Sequence, residues 1–204
     1  KTLAKVQRVH GEEILKDALE QSGSVVLAAP HLGNWEALGI WLGKRFEIYS
    51  MYRPPKLKGL DVLMRSGRES SGAHLVPADS SGVRRMLKGV KNGGIAAILP
   101  DQEPAAGEGV FAPFFGIEAY TMTLIVKLVQ KLSSPLIMGY ALRVEGGFDI
   151  HFVRVDTIRP EDDLRTAAAA FNQAIEQQVR QHPQQYQWTY KRFKSRPEGE
   201  QNFY

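Results

Sequence analysis

Two ionisable residues lie five positions apart within an apolar run: His31 and Glu36 in Ala29-Pro-His-Leu-Gly-Asn-Trp-Glu36. Between Ser24 and Leu42 no other side chain ionises near neutral pH. On one continuous helix such residues point about 140° apart and could not meet. If His31 instead lies in a turn and Glu36 in the first turn of the next helix, the imidazole can fold back onto the carboxylate. The chemistry expected of that pair is general-base catalysis. Glu36 accepts a hydrogen bond from one ring nitrogen and fixes the tautomer, and the other nitrogen takes a proton from an attacking hydroxyl. Imidazole suits the task because its ordinary pKa, about 6.5, is close to working pH. The helix N-terminus beside the pair could hold a phosphate or developing negative charge. A bare His-x4-Glu is equally what a turn histidine and a helix-capping carboxylate would leave in a sequence, so the rest of the chain must decide.

Positioning such a pair requires a strand, a turn and a helix. Val25 to Ala29 is apolar and partly β-branched, as suits a strand buried on both faces, and Gly33 or Asn34 can cap a helix continuing through Trp35, Leu38, Ile40 and Trp41. Pro30, Gly33 and Asn34 break the run where a membrane-spanning helix would be continuous. Further strands are expected at 46–52, 72–77 and 95–99, and helices from Gly11 to Gln21, from Asp61 to Glu69 and from Ser80 to Lys91. Residues 105–119 read as a glycine-rich loop carrying Phe111, Phe114 and Phe115, whose rings either pack into the core or meet a greasy ligand. Tyr120 to Leu132 reads as a buried helix, and Glu145-Gly146-Gly147 joins two strands in a hairpin. A last helix is expected after Pro160, stopped by His182-Pro183. The expected fold class is α/β: a mainly parallel central sheet flanked by helices on both faces, with an antiparallel hairpin edge, in a single domain over residues 1–204. In such sheets ligands gather at the carboxyl ends of strands, and His31 and Asp101 both directly follow one.

A net charge of +4 and a pI near 9.3 suit an acidic partner: nucleic acid, an anionic membrane, a phosphorylated lipid or an acidic carrier protein. Nucleic acid is disfavoured because no recognition motif accompanies the charge. The basic surface is expected from Arg84, Arg85, Lys88 and Lys91 on one helix, with Lys56, Lys58, Lys191, Arg192, Lys194 and Arg196. The absence of cysteine excludes disulfides, a thiol nucleophile and thiolate metal sites. His74, His151 and His182 fit no ligand spacing, so no metal is expected. There is no Gly-x-Ser-x-Gly elbow, an absence that fits a reaction whose nucleophile is a hydroxyl of the substrate.

The block from Ala29 to Glu36 resembles the catalytic block of the late acyltransferases of lipid A biosynthesis, the lauroyl and myristoyl transferases within the lysophospholipid acyltransferase superfamily. The resemblance continues, in the family's order, through Tyr52-Arg53-Pro54, Gly67-Arg68, Pro100-Asp101-Gln102, Val110 to Phe115 with Thr121 and Thr123, Asn172 to Glu176, and Trp188 to Pro197. It implies a glycerolipid acyltransferase-like fold with His31 as the base and Glu36 as its partner. By the same resemblance Arg53 and Arg68 bind phosphate or carbonyl oxygens. Asp101 stands near the dyad, as a second carboxylate that orients a group or holds a basic partner; without the resemblance it reads equally as a strand-end turn former. Asn34 joins the substrate-binding set, Asn172 and Glu176 join it as a pair whose role is orienting or structural, and Trp35, Phe111, Phe114 and Phe115 contact the acyl chain. Gln102 and Glu103 are assigned no chemistry. The implied reaction moves a fatty acyl group from acyl carrier protein, or from coenzyme A, to a hydroxyl of a lipid A precursor. The thioester serves as co-substrate and no cofactor is required. The expected partners are acyl carrier protein, the lipid and the membrane surface, at the cytoplasmic face of the bacterial inner membrane. A chain beginning at Lys1 is expected to be a fragment preceded by a membrane anchor. Two other expectations stay open: acylation of a different polar lipid, such as a glycolipid or aminolipid, and a non-catalytic lipid-binding domain.

Overall fold

A computed structural model describes residues 2–53 and 65–204. Its strands are β1 (Val6–His10), β2 (Ser24–Ala28), β3 (Ile48–Tyr52), β4 (His74–Pro77), β5 (Gly94–Ile98), β6 (Gly109–Phe114), β7 (Ile117–Met122), β8 (Leu136–Val144) and β9 (Gly147–Arg154). Its helices are α1 (Glu12–Ser22), α2 (Trp35–Gly43), α3 (Ser80–Val90), α4 (Leu124–Leu132) and α5 (Leu164–Gln181), and residues 65–69 are also helical.

Seven strands form the main sheet in the order β1-β9-β8-β2-β5-β3-β4. From β8 to β4 every neighbouring pair is parallel, and β8–β9 is the expected antiparallel hairpin. One strand more lies outside that hairpin, because β1 pairs with β9. β2 is buried at every position. Its Val25 and Leu27 pack with Leu15, Leu38 and Trp41 of α1 and α2 on one face, while Val26 and Ala28 pack with residues of α3, α4 and α5 on the other. Period-2 alternation in a strand apolar on both sides is what two helical layers require.

Two expectations are corrected. Residues 109–122 are not an open loop running into a helix but a second, two-stranded sheet, β6–β7, and the helix that follows starts only at Leu124. Phe115 and Gly116 make its two-residue turn, with φ of 51° and 78°. Both angles are positive, as this type of hairpin turn demands, but a phenylalanine pays steric strain there and gives no Asn-Gly signal to read. The other correction concerns charge. Arg84, Arg85, Lys88 and Lys91 are exposed as expected, but Arg192 is buried, and Lys56 and Lys58 lie outside the described residues.

Candidate active site

The turn after β2 is stitched to three parts of the chain. Ala29 N–H donates to the Ile98 carbonyl of β5 (2.8 Å), Asn34 N–H to Ala141 of β8 (2.7 Å), and Gly33 N–H to Gln185 (2.9 Å), while the His31 carbonyl accepts from Gln187 N–H (3.0 Å). Gly33 has φ +70°, and a Cβ there would lie 2.0 Å from the Ala141 carbonyl oxygen, so no side chain fits. Asn34 then caps α2, its Oδ1 accepting from Ala37 N–H at 3.1 Å. The His31 backbone is therefore held from both sides.

His31 takes its partner from the loop after β5. Its Nδ1 lies 2.7 Å from Oδ1 of Asp101, and its backbone N–H donates to the other carboxylate oxygen at 2.9 Å. His31 is 8% and Asp101 4% exposed, so little water competes for these bonds. An ionised carboxylate only accepts, which puts the ring proton on Nδ1 and leaves Nε2 as an acceptor. The expected bond from His31 to Glu36 is replaced by this one. Glu36 instead binds Arg68: Arg68 Nε donates to its Oε2 at 3.1 Å, and Nη2 to its Oε1. This hydrogen bond raises the arginine's pKa, against the opposing effect of burial. Asp101 thus does the orienting expected of Glu36, and Glu36 holds the Arg68 cation.

His31, Glu36 and Arg68 line one cavity of about 300 Å³ between α2 and the carboxyl ends of β3, β4 and β5. That is the small end of the usual range for ligand sites. Arg53, Gln102 and Glu103 add polar groups, and Trp35, Ile40, Met51, Leu75, Leu99 and Met122 add apolar walls. The Trp35 ring stands edge-on to His31, with centroids 4.6 Å apart. Pro54 of the expected Tyr-Arg-Pro motif lies outside the described residues.

The other expected site residues lie elsewhere. Phe114 is buried against Phe115, Tyr186 and Phe193, Phe111 packs on Tyr120, and Phe115 on Trp188; none of the three lines the cavity. Asn172 is buried, and its Nδ2 donates to the Pro113 carbonyl and to Thr121 Oγ1, both at 3.0 Å. Glu176 accepts from Phe115 N–H at 2.7 Å, holding the strained turn. Asn172 and Glu176 thus fasten the β6–β7 hairpin to α5 rather than meeting a substrate, and Asn34 is a helix cap. Among the described residues no group of three histidine, aspartate or glutamate side chains is placed to hold a metal.

Sequence reasoning missed the layer behind Asp101. The Tyr186 hydroxyl is hydrogen-bonded to Asp101; burial pushes its pKa up, and the charge of Asp101 and that bond push it further. Arg192, 4% exposed, donates to the Tyr120 carbonyl (2.8 Å) and Thr121 Oγ1 (2.9 Å), while burial pulls its pKa down. Glu103 accepts from the backbone N–H and the hydroxyl of Ser195, fastening the C-terminal tail. The mixed aromatic and basic composition of the tail was the available signal, though it reads as surface.

Comparison with known proteins turns this geometry into kinship. The family model described as bacterial lipid A biosynthesis acyltransferase matches residues 1–195. The chain belongs to the bacterial lipid A biosynthesis acyltransferase family. It is 26% identical over 200 residues to the lipid A biosynthesis lauroyltransferase of Escherichia coli K12, covering 97% of this chain and 65% of that protein. It is also 26% identical over 198 residues to the E. coli K12 palmitoleoyltransferase, covering 96% and 64%. To a lipid A biosynthesis acyltransferase of Haemophilus influenzae it is 28% identical over 202 residues, covering 98% and 63%. The chain therefore spans just under two thirds of the length of these family members. Among the described residues no helix is long and apolar enough to cross a membrane.

Proposed function

We propose that this domain catalyses transfer of a fatty acyl group from a thioester, with acyl carrier protein as the donor, to a hydroxyl of a lipid A precursor at the cytoplasmic face of the inner membrane. The observation that carries the reading is the His31–Asp101 pair, with His31 lining a cavity of polar groups and apolar walls. Family membership supports the substrate class.

In this reading Asp101 and the stitched turn hold the imidazole with Nε2 toward the cavity. Nε2 takes the proton of the acceptor hydroxyl as its oxygen attacks the thioester carbonyl carbon. The tetrahedral oxyanion collapses, the carbon–sulfur bond breaks, and the departing thiolate receives the proton from Nε2–H. The ester product and free thiol leave with His31 restored, and no covalent intermediate on the protein is required. Arg53 and the Glu36–Arg68 pair take anionic or carbonyl oxygens of the substrate, since guanidinium suits such groups. Trp35, Ile40, Met51 and Leu99 face the start of the acyl chain.

The test is mass spectrometry of products after incubating the full-length protein, in detergent, with acyl carrier protein thioesters and a lipid A precursor. A gain of one acyl chain on the lipid, lost in His31→Ala, is expected. Thioester hydrolysis without acylated lipid would mark a thioesterase instead.

A further inference from the structure

The lone pair on which that reaction turns already has a neighbour. Gln102 Nε2 lies 3.3 Å from Nε2 of His31, and the same amide nitrogen lies 3.5 Å from Oε1 of Gln187. With Nδ1–H committed to Asp101, Nε2 of His31 can only accept, so the contact is a donation from the Gln102 amide. Both N–H bonds of that amide then have a direction, one to the base and one to Gln187. Gln187 is itself anchored, through its backbone N–H, to the His31 carbonyl at 3.0 Å.

Several other donors around the site are already bonded. The N–H groups of Leu32, Gly33 and Asn34 bond to Pro30, Gln185 and Ala141, and the Arg68 guanidinium is held by Glu36. Gln102 follows Asp101 directly in the loop after β5 and lines the cavity, so the segment that orients the base also places this amide beside it.

We propose that Gln102 is a catalytic residue, the donor that receives the oxyanion. At rest its amide covers Nε2. An acceptor hydroxyl donating to Nε2 displaces it, and the released N–H is then within a side-chain rotation of the thioester carbonyl oxygen, which lies one bond from the carbon under attack. No bond to Gln102 forms or breaks; its N–H hydrogen-bonds to the charge that appears on that oxygen. The inference rests on the acyl-transfer reading above.

The experiment uses the full-length protein with the lauroyl thioester of acyl carrier protein and a lipid A precursor, measuring kcat and KM for wild type, Gln102→Ala, Gln102→Glu and His31→Ala, with a thermal melt of each. A donor used only in the transition state lowers kcat by about 10²-fold in both Gln102 variants, with KM for the thioester within about threefold. Gln102→Glu guards against a packing explanation, because it keeps the shape and removes the N–H. If His31→Ala is inactive and either folded Gln102 variant keeps the wild-type kcat, or loses only in KM, the proposal is overturned. If His31→Ala turns over as wild type, the acyl-transfer reading itself has failed.

Discussion

Nδ1 of His31 lies 2.7 Å from Oδ1 of Asp101, 70 residues further along the chain, while Glu36 is bonded to Arg68. The two carboxylates near the base therefore have separate tasks, and substitution separates them. Asp101→Asn keeps the side chain's shape but removes the charge and favours the other tautomer of the imidazole, with the proton on Nε2. It is expected to lower kcat by about 10³–10⁴-fold, the scale known for carboxylates that orient a catalytic imidazole, with the thermal melt near wild type. A drop of less than tenfold would remove Asp101 from the mechanism.

Glu36 acts through its cation, so Glu36→Gln and Arg68→Gln should resemble each other. Both are expected to raise KM for the lipid acceptor more than they lower kcat, and the double variant should be little worse than either single one. The pair is partly exposed, with side chains 26% and 44% accessible for Arg68 and Glu36, so its coupling in stability is expected to be only about 0.5–1 kcal/mol. A kcat loss in Glu36→Gln matching that of Asp101→Asn, with no counterpart in Arg68→Gln, would restore Glu36 as the partner of the base.

The apolar run through Val25 to Ala29, the breakers after it and the amphipathic stripes elsewhere were legible because strand and helix periodicities are local. That is why the strand-turn-helix around His31 was read correctly. Which carboxylate His31 would meet was not legible. It depends on β5 lying beside β2, which sets Asp101 next to the turn, and adjacency of strands is not written in spacing. The β6–β7 hairpin was hidden for a different reason: Phe115 occupies a left-handed position that sequence assigns to glycine or asparagine, and tertiary bonds hold it there. Arg192 misled because a basic residue in a tail reads as solvated until its acceptors are seen.

Asn172 and Glu176 allow that structural role to be separated from substrate binding. Glu176 is the charged acceptor for the N–H of a strained residue, and Asn172 donates to Pro113 and Thr121, which lie on the two strands of the hairpin. Glu176→Ala and Asn172→Leu are each expected to cost about 1–2 kcal/mol, or about 2–8 °C in Tm, through the hydrogen bonds lost between α5 and the hairpin. KM should stay at its wild-type value at temperatures where the variants are folded. A raised KM with an unchanged melt would return either residue to the substrate site.

Away from the cavity, His151 predicts a pH dependence of stability. Its ring stacks on His10 (4.5 Å) and on Tyr140 (5.2 Å), with His182 at 6.4 Å and Asp149 nearby. Burial, then the positive charge of His10 and His182, pull its pKa down to about 4, with Asp149 opposing. The free imidazole titrates near 6.5, so between about pH 6.5 and 4 the unfolded chain binds a proton that the folded chain refuses. Stability from this group is full above pH 6.5 and is lost as pH falls toward 4. Because the ring is only partly buried, screening reduces the effect to about 1–2 kcal/mol. His151→Phe keeps the stacking and cannot titrate. Urea melts at pH 7 and pH 4.5 should therefore show a smaller loss of stability in the variant than in wild type. Equal losses in the two proteins would mean that protonation of His151 does not oppose the fold.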